Sequence, residues 1–499
     1  MNLVKKLFRL FFPAVLLAGF LSCEKQQGPL PLTEGDVVVK RVTINGKIVF
    51  LDKKTCSYSA LCPTTTDFSA IEVSLETNDA QEILIDGQTV NGKKLVMDLS
   101  SPKTFRVIQD GHIYKDYTLQ AHNTSLPVVR VETPGRKAIT SKDDWMEGAT
   151  LRIEKADGTV DYEGPMSIRG RGNSTWGYPK KPYALKLDSK AEILSMPSHK
   201  RWVLLANWKD RTILRNDAAF WLSRHTGLPY TVRGQFVELV LNGLHVGNYY
   251  LCEQIKINKN RVNVKDGGLL LELDTYFDEV NRFLSKDFQL PWMVKEPDEE
   301  ELTPEQFAEF KQWITDLEAL LKDETRVKAH EYEQFLDVDT AIDYLIAEEL
   351  TCNHDFYNDW PDKGPHSAYL YKQPGGKLYT GPMWDFDYHT FVPDRAKMWA
   401  GANKTMYYPA LLKDEKFRDR LVERWNAQKE ALKGLPEYLD QMADTIRESE
   451  SVNHEMWPIN PPQTENGDEQ LSFQQAVDRM KQAFLDKWEW MDKNIGNLR

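Results

Sequence analysis

Asn353-His-Asp-Phe-Tyr-Asn-Asp-Trp360, Ala368-Tyr-Leu-Tyr-Lys372 and Gly376-Lys-Leu-Tyr-Thr-Gly-Pro-Met-Trp-Asp-Phe-Asp-Tyr-His-Thr390 form the stretch whose reading decides the fold. Asp355 ends a helical pattern that runs over Val338 to Cys352, with Ile342, Leu345, Ile346 and Leu350 turned inward. Asp385 and Asp387 follow a short apolar strand, Leu378 to Met383. Acids at a helix end and a strand end can converge on one point. Hard divalent cations need such oxygens, and magnesium usually takes one or two carboxylates plus phosphate oxygens. In phosphoryl transfer one Asp orients the attacking hydroxyl and a downstream Asp holds metal. The competing reading is a surface hairpin with acids there by chance, since Asp is common in loops.

Upstream, Ser167-Ile-Arg-Gly-Arg-Gly-Asn-Ser-Thr-Trp-Gly-Tyr-Pro-Lys-Lys-Pro-Tyr-Ala-Leu-Lys-Leu-Asp188 sets a glycine-containing turn before a strand. Backbone N–H groups in such a turn, with Arg and Lys beside it, suit phosphate oxygens. Tyr183, Leu185 and Leu187 share one strand face, and Ala184, Lys186 and Asp188 share the other. A plain basic hairpin on the surface explains this segment equally well. Trp202 to Ala206 reads as a buried strand, and Asp210 as the cap of a helix through Arg224. Asn242-Gly243 marks a hairpin between two apolar strands, with Glu253 on the second. A carboxylate among apolar neighbours needs a partner, and Lys186 and Lys256 are the candidates; an edge position facing water is the alternative. Gly267-Gly-Leu-Leu-Leu-Glu-Leu-Asp274 is a further strand ending in acids.

The start of the chain reads differently. Lys5, Lys6 and Arg9 precede an apolar run from Leu10 to Leu21, too short for a membrane span and suited to a secretory signal. Ser22-Cys23 after Gly19-Phe20-Leu21 is similar to a loose bacterial lipobox, with Cys23 as the lipidated residue. The expectation is a signal peptide over residues 1–22, a tether over 23–35, and anchorage in the cell envelope by lipid, at the outer membrane, periplasm or cell surface. Residues 36–126 alternate in short strands divided by Asn45-Gly46, Asp86-Gly87 and Asn91-Gly92, which fits an immunoglobulin-like β-sandwich. That segment carries no cluster suggesting chemistry. Cys56 and Cys62 could bridge a loop in an oxidising compartment or stand as free thiols. The formal net charge of −12 argues against a nucleic-acid partner. Helical periodicity covers Pro304 to Lys322, Tyr407 to Leu435, Leu439 to Ser449 and Phe473 to Ile495. The acidic run Lys295 to Glu305 reads as a solvated loop.

Taken in order, these pieces resemble the CotH kinase family, the spore-coat protein H type of atypical protein kinase. The residues that carry the resemblance are Arg171-Gly-Asn-Ser-Thr-Trp176, Lys181-Pro-Tyr-Ala-Leu-Lys186, Asn207, Asp210, Arg215-Asn216, Gly247-Asn-Tyr-Tyr-Leu-Cys-Glu-Gln254, Gly268-Leu-Leu-Leu-Glu-Leu-Asp274, Asp355 and Pro382-Met-Trp-Asp-Phe-Asp387. The resemblance implies an α+β fold: the β-sandwich, then an atypical protein-kinase-like domain over 127–499. Residues 127–295 would form a mainly β nucleotide-binding lobe and 296–499 a mainly helical lobe. It implies ATP-dependent transfer of phosphate to Ser or Thr hydroxyls of a protein, with Mg2+ or Mn2+. Asp355 matches the catalytic aspartate and Asp385 the metal-binding one. Asp387 is either a second metal ligand or a loop cap. Lys186 matches the phosphate lysine, Glu253 its ion-pair partner, and Arg171, Asn173 and Ser174 lie near the phosphates. One departure stands out. Kinase catalytic loops place Asn five residues after the catalytic Asp, and here that position is Trp360, with Asn358 closer and Ser367 downstream. This keeps open a catalytically inactive surface lipoprotein that binds proteins or glycans on a kinase-like scaffold.

Overall fold

The computed structural model describes residues 30–92, 94–298, 300–357, 365–459 and 466–498. The signal, Cys23 and most of the tether therefore fall outside the described residues. Up to Thr124 the chain forms two sheets. The larger orders its strands Leu51–Asp52, Ser57–Pro63, Ile113–Thr124, Lys103–Gln109, Gln81–Ile85 and Gln88–Thr89, with Thr33–Glu34 also on Ile113–Thr124. The smaller orders Lys47–Val49, Arg41–Ile44, Ile71–Glu76 and Lys94–Met97. Alternate residues of both sheets, among them Ile44, Val73, Leu75, Ile83, Val107 and Leu119, share one buried cluster. Asn45 and Gly46, and Asp86 and Gly87, all take positive φ, as tight hairpin turns require. Asn91-Gly92 does not make the hairpin its sequence suggests. Asn91 instead accepts from Ile83 N at 2.6 Å and donates to Gln81 O at 2.8 Å. Cys56 and Cys62 are free thiols. They flank an extended strand, which at ~3.3 Å per residue holds them roughly 20 Å apart, far beyond disulfide reach.

Residues 128–253 close into a seven-stranded barrel. Val128–Glu132, Met146–Glu154, Val160–Gly170, Tyr183–Ile193, Met196–Leu205, Leu244–Glu253 and Gly234–Leu241 pair in that order. The last strand returns parallel to the first, with Val128 opposite Glu238. Val131, Leu151, Met166, Leu185, Leu187, Trp202, Leu239 and Leu251 fill the interior. Asn242 and Gly243 both take positive φ and make the expected hairpin. The sandwich docks on the barrel through Leu61 against Val128 and Val240, and through Lys47 Nζ, 2.8 Å from Glu154 Oε2.

A second sheet orders Arg282–Leu284, Pro291–Glu296, Leu269–Leu273, Ala368–Lys372 and Leu378–Thr380. It crosses the division expected at 295/296, because Leu271 pairs with both Val294 and Leu370. Lys295 is thus a strand residue and not part of a solvated loop. Helices Pro304–Lys322, Val338–Thr351, Glu415–Leu432, Leu435–Met456 and Phe473–Asn494 pack beside it. Thr303 with Gln306, and Ser472 with Gln475, close capping boxes at two of their N-termini. One apolar cluster joins these helices, the second sheet and the outer barrel residues Val203, Phe236 and Tyr250. The fold is α+β.

Candidate active site

A cleft of about 760 Å3 lies between the outer wall of the barrel, the second sheet and the loops of the helical half. Asp355, Asp385, Asp387 and Asp274 all line it. The helix Val338–Thr351 ends where Cys352 turns left-handed, with φ 54°, which aims the chain into the cleft. Asp355 then donates its N–H to Asn353 Oδ1 at 3.1 Å, and Asn353 Nδ2 donates to buried Glu348 Oε2 at 3.0 Å. The second acid loop follows the strand Leu378–Thr380. Asp385 itself is left-handed, with φ 70°, a conformation that costs of order 1 kcal/mol for a non-glycine residue and persists where the surroundings enforce it. They do so here. Phe386 N donates to Asn216 Oδ1 at 2.8 Å, and Asn216 Nδ2 to Asn207 Oδ1 at 3.1 Å. Arg215, wholly buried, donates from Nε to Thr390 O at 3.1 Å, pairs with Asp468 at 2.7 Å, and also pairs with Asp210. Asp210 folds the segment before the helix, which begins at Arg215 and not at Asp210.

Asp274, at the end of the strand Leu269–Leu273, binds the other side of the cleft together. It accepts from Ser367 N at 3.1 Å and lies 3.2 Å from His366 Nδ1. Ser367 Oγ is 3.4 Å from Asp385 Oδ2. Burial, then the charge of Asp355, raises the Asp385 carboxyl to about 6; Arg171 works the other way. Burial and the charge of Asp385 push Asp387 up as well, against Lys209. Acids gathered in one cleft are short of positive charge, which is the electrostatic demand a divalent cation can meet. Among the described residues no group of three or more His, Cys, Asp or Glu side chains is arranged to hold a metal by itself. A hard cation held here could take carboxylate oxygens from Asp385 and Asp387 and would need further oxygens from elsewhere.

Cationic and polar side chains line the cleft as well. Arg171, Asn173 and Ser174 line the cleft as the sequence suggests. Arg171 lies 5.2 Å over the Trp384 ring, and Lys142 Nζ donates to Asn173 Oδ1 at 2.9 Å. Gly172 is left-handed, with φ 84°, and a Cβ there would stand 1.9 Å from Thr175 Oγ1, so only glycine lets this turn close.

Lys186 and Glu253 do not come together. Leu185 and Leu187 point into the barrel, so Lys186 points out and is exposed. Glu253 is opposite Trp202, whose side chain is inside, and so belongs to the inner face of the wall. Its carboxylate is held by Arg233 at 2.9 Å and Arg261 at 3.4 Å. Neither Lys186 nor Glu253 lines the cleft. Lys295 lines it instead, paired with Glu272 at 2.9 Å and also with Glu279. Burial would lower the Lys295 ammonium, but Glu272, Tyr369 and Glu279 raise it well above its ordinary value. Sequence reading passed over Lys295 because the acids after it resemble a solvated run. The one signal available was Glu272, the sole charge within Leu269–Leu273.

Fold and site together define an α+β protein with one cleft lined by both acids and cations. The family model for CotH kinase protein matches residues 168–491, well over half of the chain, and this protein belongs to that family. No curated protein matches the chain. The crystal structure of a "putative glycoside hydrolase" from Bacteroides thetaiotaomicron is similar at 13% identity over 56% of this chain and 86% of that one, with a TM-score of 0.16. At that score the likeness carries no argument.

Proposed function

We propose that this protein is an ATP-dependent phosphotransferase acting on Ser or Thr hydroxyls of extracytoplasmic proteins, with a kinase-like division into a β lobe and a helical lobe about the cleft. The observation that carries this reading is that Asp355, Asp385 and Asp387 line one cleft together with Arg171 and Lys295. Asp355 orients the acceptor hydroxyl and takes its proton as the new O–P bond forms and the bond to the departing diphosphate breaks. Asp385 and Asp387 would hold a divalent cation, whose charge would stabilise the phosphate oxygens. Arg171 and Lys295 face those oxygens, with Glu272 keeping Lys295 in place. Asn173 and Ser174 complete the turn beside them. Lipid on Cys23 anchors the chain in the envelope; among the described residues no helix is long and apolar enough to cross a membrane.

A second reading, a binding module without turnover, draws on Trp360 at the position where kinase loops carry their second metal-binding Asn. Ser367, beside Asp385, offers an oxygen in its place. Transfer of labelled phosphate from ATP to the protein itself or to a casein-like acceptor separates the two. Under the first reading label accumulates with Mg2+ or Mn2+, and falls at least 100-fold in Asp355→Ala. Absence of label, with no thermal stabilisation by nucleotide, favours the second.

A further inference from the structure

Three cations converge on one indole beside the cleft, which Arg169 and Arg201 line and Lys186 does not. Arg169 lies 4.7 Å, Arg201 4.8 Å and Lys186 6.0 Å from the Trp145 ring. They stand on adjoining barrel strands, with Lys186 opposite both Ser167 and Arg201, and Arg169 opposite Ala184. Strand alternation turns all three outward. None of the three forms an ion pair among the described residues. Arg169 Nη1 donates to the Asp143 carbonyl at 2.9 Å, and its Nε is buried without a hydrogen-bond partner. The acids that act on this group are Asp143 and Glu279 on Arg169, and Asp298 and Glu296 on Arg201. Glu296 is already engaged by Lys256. Burial, then the like charge of a neighbouring Arg, pulls Arg201 below its usual value, and burial does the same to Arg169. A protein of net charge −12 thus gathers, at one indole, three cations that form no ion pair among the described residues.

The charges also form a sequence leading out of the cleft. Arg171, Arg169 and Arg201 line the cleft, whereas Lys186, opposite Arg201 on the next strand, lies outside it and is exposed. We propose that Arg169, Arg201 and Lys186, assembled on Trp145, form a subsite for a carboxylate or phosphate on the acceptor protein, so that preferred acceptors carry an acidic or already phosphorylated residue near the target hydroxyl. This rests on the phosphotransferase reading for its meaning, though peptide binding can be measured without turnover. A phosphate of the nucleotide has the same chemistry, and the outward course of the charges assigns the subsite to the acceptor instead.

Fluorescence anisotropy of labelled peptides holding phosphoserine, glutamate or alanine at one position tests this on the full chain and on Arg201→Ala and Lys186→Ala. The expected result is tighter, salt-sensitive binding of the two acidic peptides, weakened roughly tenfold by Arg201→Ala and less by Lys186→Ala, with thermal stabilisation by Mg-ATP unchanged in both variants. Equal binding of acidic and neutral peptides overturns the proposal, as does any loss of nucleotide stabilisation in either variant. Absent phosphate transfer, by contrast, bears on the catalytic reading alone.

Discussion

Lys295 Nζ lies 2.9 Å from Glu272 Oε2 across two antiparallel strands of the second sheet, inside the cleft. Removing one member of such a pair strands the other charge in a buried place. Lys295→Ala is expected to lower stability by about 2 kcal/mol, read from the denaturant midpoint, and to abolish stabilisation by Mg-ATP. The double variant Lys295→Ala, Glu272→Gln should lose less stability than the two single changes summed.

Burial, then the charge of Asp355, raises the Asp385 carboxyl to about 6. A carboxyl raised in the folded state holds its proton more tightly there than when unfolded. Its contribution to stability therefore falls as pH rises from about 4 through 6. Asp385→Asn is expected to make the metal-free protein more stable at pH 7, by about 1 kcal/mol, while removing phosphate transfer. Calorimetry with and without Mg2+ checks it: the ion should stabilise the parent and leave the variant unmoved.

Glu348, beneath Asp355, is pushed up to about 8, by burial first, against the hydrogen bonds of Asn353 and Tyr344. The folded protein thus keeps a proton that the unfolded chain releases above pH 4.5. Between about pH 4.5 and 8 this group erodes stability as pH rises. Glu348→Gln is expected to flatten that part of the stability–pH curve, measured by urea unfolding at unit pH intervals.

Asn216 holds the acid loop by accepting from Phe386 N. Asn216→Ala leaves that buried N–H and Asn207 unsatisfied, at a cost of about 1–2 kcal/mol. Since the loop sets the conformation of Asp385, the Mg2+ concentration needed for half-maximal transfer should rise while the fold, followed by circular dichroism, persists.

The acids of the cleft were legible in sequence because each sits at a strand or helix end within a recognisable run. The hairpins at Asn45-Gly46, Asp86-Gly87 and Asn242-Gly243 were legible because their turn residues are local. What escaped depended on distant pairing. The closing of the barrel joins Val128–Glu132 to Gly234–Leu241, and no local pattern encodes that register. The same closure decides which side of the wall each residue faces, and so separates Lys186 from Glu253. Lys295 entered the cleft only because Leu269–Leu273 pairs with strands both before and after the division expected at residue 296.

Arg215 joins Asp210, Thr390 and Asp468 in one buried knot. A fragment that stops before Asp468 leaves a guanidinium buried for two carboxylates with only one, and so loosens the anchor of the loop that ends at Thr390. During synthesis the knot closes only after Asp468 has emerged.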